Sequence, residues 1–205
     1  MREEKKTSIT VLLQAGRLPL EIMAAARELA EQYNLVVYLT TLQNLRLTGV
    51  PESAAEEIKA QLAAFGAEFK APGKFPIPRV CVGMDHCSSG LIDTEAFSRT
   101  ILDRFAGRSH TKPKIKLAVA ACTMCCSGAK TSDIGIVATR NGYEIYAGGK
   151  GGANPRVGRR IVRKATESEV MATLVALIEF HDQKTEHKQR FHKLLDDPDF
   201  PFPEV

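Results

Sequence analysis

The residues of this chain with the most chemistry in them are its five cysteines. Cys81 and Cys87 have five residues between them, Cys122 and Cys126 have three, and 34 residues separate the two pairs. An odd number of cysteines in a reducing compartment argues against a disulfide framework and turns the question to metal binding or thiol chemistry. Four thiolates presented in pairs by loops suit an iron–sulfur cluster or zinc. Structural zinc prefers knuckles of about two to four intervening residues, which the Cys81–Cys87 spacing exceeds. Ser88, Ser89, Gly90, Ser127 and Gly128 are small neighbours that let backbone N–H groups approach the sulfurs. Four buried free thiols are the inert alternative. Cys125 breaks the symmetry of the pairs and reads as a small core residue, with an alternative ligand or a reactive thiol as the other readings.

The elements that position these cysteines follow from periodicity and turn signals. Ile9–Leu13 reads as a strand. Pro19 opens a helix whose apolar stripe runs through Leu20, Met23, Ala24 and Leu29 to an end at Asn34. Leu35–Leu39 is a β-branched run, and 40–50 continues as an extended alternating segment. Pro51 opens a second helix with Ile58, Leu62 and Phe65 on one face and Gly66 as its stop. Residues 71–78 hold three prolines and a glycine and read as a linker. Beyond it come a helix over 94–105, a strand over 114–121 and a loop over 122–130. Strands over 134–139 and 143–147 are joined by the Asn141-Gly142 turn. A glycine-rich loop spans 147–158, and a helix begins at the capping box Thr166-Glu-Ser-Glu169. The tail from Asp196 is proline-rich and irregular.

The composition bounds the partners. The net charge of +4 suits an anionic cofactor or an acidic protein partner and is too small to indicate nucleic acid. The densest basic patch, Arg159, Arg160, Arg163 and Lys164, reads as a solvated helix face. No apolar run is long enough for a membrane span, and the charged N-terminus lacks a signal-peptide apolar region, so a cytoplasmic protein is expected.

The order of these motifs resembles a known family. C-x₅-C, a helix, a strand, C-x₃-C, Asp133-Ile-Gly135, Tyr143-Glu-Ile-Tyr-Ala-Gly-Gly149 and Pro155-Arg-Val-Gly158 are similar to the siroheme and [4Fe–4S] domain of sulfite and nitrite reductases. Gly16-Arg-Leu-Pro-Leu-Glu and Thr40-Thr-Leu-Gln-Asn-Leu-Arg-Leu-Thr-Gly49 look like that family's ferredoxin-like half-domain. The resemblance implies an α+β fold with a half-domain at 7–70 and a 4Fe-4S/siroheme domain at 75–205. It implies a cluster on Cys81, Cys87, Cys122 and Cys126, with Cys126 also the axial ligand of the siroheme iron. Arg79, Lys150 and Arg156 would contact the siroheme, and Lys114, Lys116 and Arg46 would act on the substrate oxyanion.

The implied activity is reduction of sulfite to sulfide or nitrite to ammonia. Electrons would come from an external donor such as a ferredoxin, since no flavin or nicotinamide motif is present. Basic residues are needed there because an oxyanion and a polycarboxylate haem must both be neutralised. Period-two geometry in a strand over 114–121 would put Lys114 and Lys116 on one face. The chain departs from the family in three ways. Leu42 stands where the family has an arginine, and Arg46, four residues on, is its expected substitute on the same strand face. Cys122-Thr-Met-Cys-Cys126 lacks the usual proline and asparagine. One repeat is present where full-length enzymes have two, so a homodimer is expected, joined through the segment 40–50 or the first strands. A [4Fe–4S] electron-transfer or non-catalytic relative that has lost substrate reduction is the alternative.

Overall fold

The computed structural model describes residues 4–186 and 189–205. The chain forms two compact units, Met1–Ala71 and Pro72–Val205.

The first unit runs β1 (Lys6–Leu12), α1 (Leu20–Tyr33), β2 (Val36–Leu39), β3 (Leu45–Pro51), α2 (Ala55–Ala63) and β4 (Glu68–Phe69). Its sheet is antiparallel throughout, in the order β2-β3-β1-β4. This is the split βαβ arrangement of a ferredoxin-like fold. Alternation along the strands buries Ile9 and Val11 of β1 and Leu45 and Leu47 of β3. They pack with Ile22 and Leu29 of α1 and Ile58 and Leu62 of α2 in one core. Burying each such large aliphatic side chain contributes about 2 kcal/mol. Asn34, left-handed at φ 51°, ends α1.

The segment 40–50 is not continuously extended: a turn, closed by Gln43 N–H donating to Thr40 O, separates β2 from β3. Leu42 lies in that turn, so the strand-face argument linking it to Arg46 fails. Phe65 is half exposed rather than buried, because α2 ends at Ala63 and the chain turns at Gly66 (φ +82°). The edge strands are β2 and the two-residue β4, which pairs only with Val11 and Leu12 of β1; the 45–51 strand is paired on both sides.

The second unit contains β5 (Arg79–Val80), α3 (Thr94–Arg104), β6 (Leu117–Ala120), β7 (Ile134–Thr139), β8 (Gly142–Ala147), β9 (Arg159–Ala165) and α4 (Glu167–Lys184). They form a five-stranded sheet in chain order. β5, β6 and β7 are parallel, and β8 and β9 return antiparallel. β6, Leu-Ala-Val-Ala, is buried along its whole length, as a central parallel strand must be. The 7–8 hairpin pairs Thr139 with Gly142, so Arg140 and Asn141 make the turn and Gly142 (φ 112°) opens β8. The capping box at α4 forms as its sequence indicates.

Arg159–Ala165 is a strand, not a helix face; Ile161 and Ala165 point inward and Arg163 and Lys164 outward. The outer edge of β9 is covered by the chain terminus. Val205 N–H donates to Arg160 O at 2.9 Å, and Arg160 Nε donates to Val205 O at 3.1 Å. The proline-rich segment after Ala71 is fastened to this unit: Phe75 stacks on Phe105 with centroids 4.2 Å apart, and Thr111 N–H donates to Gly73 O.

Candidate active site

Two neighbouring parallel strands bring the cysteine pairs together. Val80 of β5 is in register with Val119 of β6, so Cys81 and Cys122 leave the sheet at the same, C-terminal edge. Ala121 N–H donates to Cys81 Sγ at 3.1 Å, the kind of amide–sulfur contact that stabilises a thiolate. The loop carrying Cys87 is folded over the same edge. Leu91 N–H donates to Ala121 O, Met84 N–H to Ile92 O, and Gly90 N–H to Cys87 O, each at 2.9 Å. The loop closes so tightly that a Cβ on Gly90 would lie 2.7 Å from the Gly83 and Met84 backbone. The Thr94 hydroxyl, at the start of α3, donates to Cys81 O at 2.6 Å. Cys81 and Cys122 are half-buried, Cys87 and Cys126 are exposed, and all five thiols are free.

Cys125 is half-buried, unlike the exposed Cys126. Its backbone is left-handed (φ 57°), and Gly128 N–H donates to its carbonyl. Its Sγ accepts from Lys130 N–H at 3.3 Å and packs against the apolar cluster of Ala118, Ala120, Ala129, Val137 and Tyr146. Among the described residues, no three His, Cys, Asp or Glu side chains gather closely enough to hold a single metal ion. The donor set suits a four-iron cluster, in which each thiolate binds its own iron and the sulfurs stand further apart than around one ion.

Arg79 borders the cysteine turn. Its Nη2 lies 2.5 Å from where a Cβ on Gly128 (φ +69°) would sit, so only glycine there leaves room for the guanidinium. Arg79 Nε is buried without a hydrogen-bond partner among the described residues, an orphan donor of the kind an anionic ligand satisfies.

A basic cluster lies at the other end of the strands. Lys114 is not in a strand: it occupies a turn at φ 79°, and β6 starts at Leu117. Lys114 and Lys116 are nevertheless both exposed, with Ile115 buried between them. Lys116 O accepts from Ile134 N–H at 3.0 Å, which sets it beside Asp133. Asp133 is 1% exposed. Its carboxylate takes Arg190 Nη1 at 2.9 Å and Phe191 N–H at 3.2 Å, and its carbonyl takes Gly148 N–H at 2.7 Å. Burial pushes the Asp133 carboxyl above the usual range, while Arg190 pulls it back. Desolvation and then Arg190, with smaller contributions from Arg79 and Lys114, push the Lys116 ammonium below its usual value, against the pull of Asp133.

Lys150 and Arg156 face each other across the glycine-rich loop and exchange backbone hydrogen bonds of 3.0 and 2.8 Å, leaving an exposed tip at 151–155. The root of this hairpin is close-packed, since a Cβ on Gly149 would lie 2.5 Å from both Lys130 O and Ser132 O. Arg46 belongs to the first unit, where its Nη2 donates to Ser8 Oγ at 2.8 Å and its Nε is buried without a partner among the described residues. The structure thus sorts the expected residues into a cysteine edge with Arg79, a lysine end and a glycine-loop hairpin in the second unit, and Arg46 in the first. Arg190 and His192 were not foreseen. Their only signal is the basic character of a segment 57 residues beyond Asp133.

The model of the nitrite and sulphite reductase 4Fe-4S domain matches residues 77–200, and that of the nitrite/sulfite reductase ferredoxin-like half domain matches residues 1–65. The chain belongs to the siroheme nitrite and sulfite reductase family. It is 29% identical over 191 residues to the nitrite reductase [NAD(P)H] large subunit of Klebsiella oxytoca, covering 92% of this chain and 20% of that one. It is 32% identical over 143 residues to the nitrite reductase (NADH) large subunit of Escherichia coli K12, covering 69% and 17%. The chain thus spans about a fifth of the length of these relatives. The assimilatory-type sulfite reductase of Nitratidesulfovibrio vulgaris is 23% identical, with 95% of this chain and 89% of that one aligned. The Mycobacterium tuberculosis NirA protein shares the fold with a TM-score of 0.75 at 17% identity, over 95% of this chain and 40% of that one. No helix among the described residues is long and apolar enough to cross a membrane.

Proposed function

We propose that this chain is a siroheme- and [4Fe–4S]-dependent reductase of sulfite or nitrite, working with an external electron donor such as a ferredoxin. The observation that carries the reading is the joint between the cysteine pairs: Cys81 Sγ receives the Ala121 N–H next to Cys122, and Leu91 ties the Cys87 loop to the same residue. Cys81, Cys87, Cys122 and Cys126 would hold the cluster, and Cys126 would also help hold the siroheme. The bound groups would supply electrons at low potential to an oxyanion. Arg79, Lys150 and Arg156 neutralise tetrapyrrole carboxylates, and the orphaned Nε of Arg79 supports its part in this. Lys114 and Lys116 would hold the oxyanion. Lys116, its ammonium already lowered, is the readier proton donor as oxygen leaves as water.

The sulfite reductase of Nitratidesulfovibrio vulgaris, aligned over 89% of its own length, supports a reductase of this type. The test is turnover by anaerobically purified full chain with a chemical reductant: sulfide from sulfite or ammonia from nitrite supports the reading. Bound cluster with no turnover of either would leave the electron-transfer alternative, which Leu42 in place of the family's arginine favours.

The proposed unit is a homodimer. The observation behind it is β2, a free edge strand reading Val-Val-Tyr-Leu, all four exposed, with no charge or proline to block pairing. A groove of about 480 Å³ beside it is lined by Met23, Ala26, Ala30, Leu35, Val37 and Leu39. Two copies of β2 paired about a two-fold axis would cover both features. Sedimentation of the holo-protein decides: an active species of single-chain mass at micromolar concentration would rule the dimer out.

A further inference from the structure

The C-terminal segment brings a titratable group to the hairpin that the proposed reaction does not use. His192 sits on the short turn Phe191–Lys193, against the hairpin root, where a Cβ on Gly148 would lie 3.1 Å from the His192 Cα. The turn is anchored from its other side. Phe191 is fully buried, its N–H donates to Asp133, and Arg190 beside it pairs with the same carboxylate. Nδ1 of His192 is buried and has no hydrogen-bond partner among the described residues. Among the described residues, the charged groups around the ring are Lys150 and Arg156 from the hairpin, Lys193 from its own turn, and Asp133 from the start of β7. Three of these are cations facing one carboxylate, and that carboxylate is already engaged by Arg190 and Phe191 N–H.

We propose that His192 is the proton-accepting member of the Lys150–Arg156 anion site: when a polyanion settles on the hairpin, the imidazole takes up a proton from solvent. The inference rests on the reading that Lys150 and Arg156 hold tetrapyrrole carboxylates. In the free protein, burial and then the charges of Lys150 and Arg156 hold the ring below the usual histidine value, with Asp133 pulling the other way. The ring is therefore neutral at neutral pH, with an unpaired buried nitrogen. A bound polycarboxylate cancels the two cations and supplies an acceptor, so the protonated form becomes the favoured one. Linkage makes the effect reciprocal: if the anion draws a proton onto His192, a proton on His192 tightens the anion.

The probe is uroporphyrin, a metal-free octacarboxylate tetrapyrrole, titrated into the full chain and followed by its fluorescence from about pH 6 to about pH 8, where its carboxylates stay ionised. Wild-type affinity is expected to fall by up to about tenfold per pH unit in this range, while His192→Gln binds with little pH dependence. The imidazole resonances of His192 in the wild-type chain should move to the protonated position on binding at neutral pH, a readout that needs no variant to fold. Equal pH slopes in wild type and His192→Gln, or a ring that stays neutral in the complex, would overturn the inference while leaving the tetrapyrrole reading in place. No binding by the wild type at any pH would overturn both.

Discussion

Lys116 and Cys122 stand at opposite ends of strand β6, Lys116 just before Leu117 and Cys122 two residues after Ala120. Extended chain over that interval spans about 20 Å. Arg79 occupies the ground between: its guanidinium lies over Gly128 on the cysteine side, and its charge is felt by Lys116 on the other. An extended plate with many carboxylates suits this spacing better than a lone small anion. The two ends should therefore separate functionally. Lys116→Met is expected to weaken oxyanion binding and turnover while leaving iron content unchanged and stability within about 0.5 kcal/mol, since an exposed lysine contributes little to folding. Wild-type kinetics in that variant would mean that the lysines are only a solvated strand end.

The cysteines should divide into four and one. Cys81→Ser and Cys122→Ser are each expected to lose most of the bound iron. Cys125→Ala should keep it and lose about 1 kcal/mol through the missing sulfur packing and the Lys130 N–H contact. Iron analysis and thermal unfolding of the three variants check this. Iron lost from the Cys125 variant and retained in a Cys126 variant would reverse the assignment.

The Asp133–Arg190 pair ties the C-terminal segment to the start of β7. Removing Arg190 leaves the carboxylate buried with, among the described residues, the Phe191 N–H alone bonded to its side chain. Arg190→Met should cost about 2–3 kcal/mol, below the full cost of breaking a buried pair because Arg190 is 34% exposed. Urea unfolding measures it, and an unchanged midpoint would place the segment's anchorage elsewhere, in Phe191, Leu194 and Leu195.

Acid should weaken the fold through His181. The ring is fully buried, stacks on Phe191, and meets only Gln189 O among the described residues, so desolvation holds it below its usual value. With the folded value lower than the unfolded one, the unfolded chain binds more protons in the window between them. Stability is then complete above about pH 6.5 and declines as pH falls below it, until the folded ring itself protonates. His181→Phe is expected to flatten this decline. Thermal midpoints measured across that range, with the same slope in both proteins, would assign the acid sensitivity to other groups.

Much of this was legible in local sequence. Cysteine spacing, the Thr166–Glu169 capping box, the stop at Asn34 and the presence of a hairpin near Asn141 are written in residues close together in the chain, although the turn falls one residue earlier than Asn141-Gly142. The remaining features depend on tertiary pairing and local hydrogen bonds. β4 is only Glu68–Phe69 and exists because β1 offers an edge. The break between β2 and β3 is set by local hydrogen bonds among Thr40, Gln43 and Asn44, in a stretch whose polar–apolar alternation mimics one long strand. Lys114 has the alternation of a strand residue but a left-handed backbone, which periodicity cannot detect. Arg190 and His192 reach the site only because a buried aspartate holds the segment that carries them.

The central claim is that one chain holds both a [4Fe–4S] cluster and siroheme. The absorption spectrum of anaerobically purified protein, with iron and acid-labile sulfide counted on the same sample, tests it most directly. The account predicts a Soret band from the tetrapyrrole, with about five irons and about four sulfides per chain. A spectrum without a Soret band but with about four irons and four sulfides would contradict the siroheme half of the claim. Zinc in place of iron and sulfide would contradict all of it.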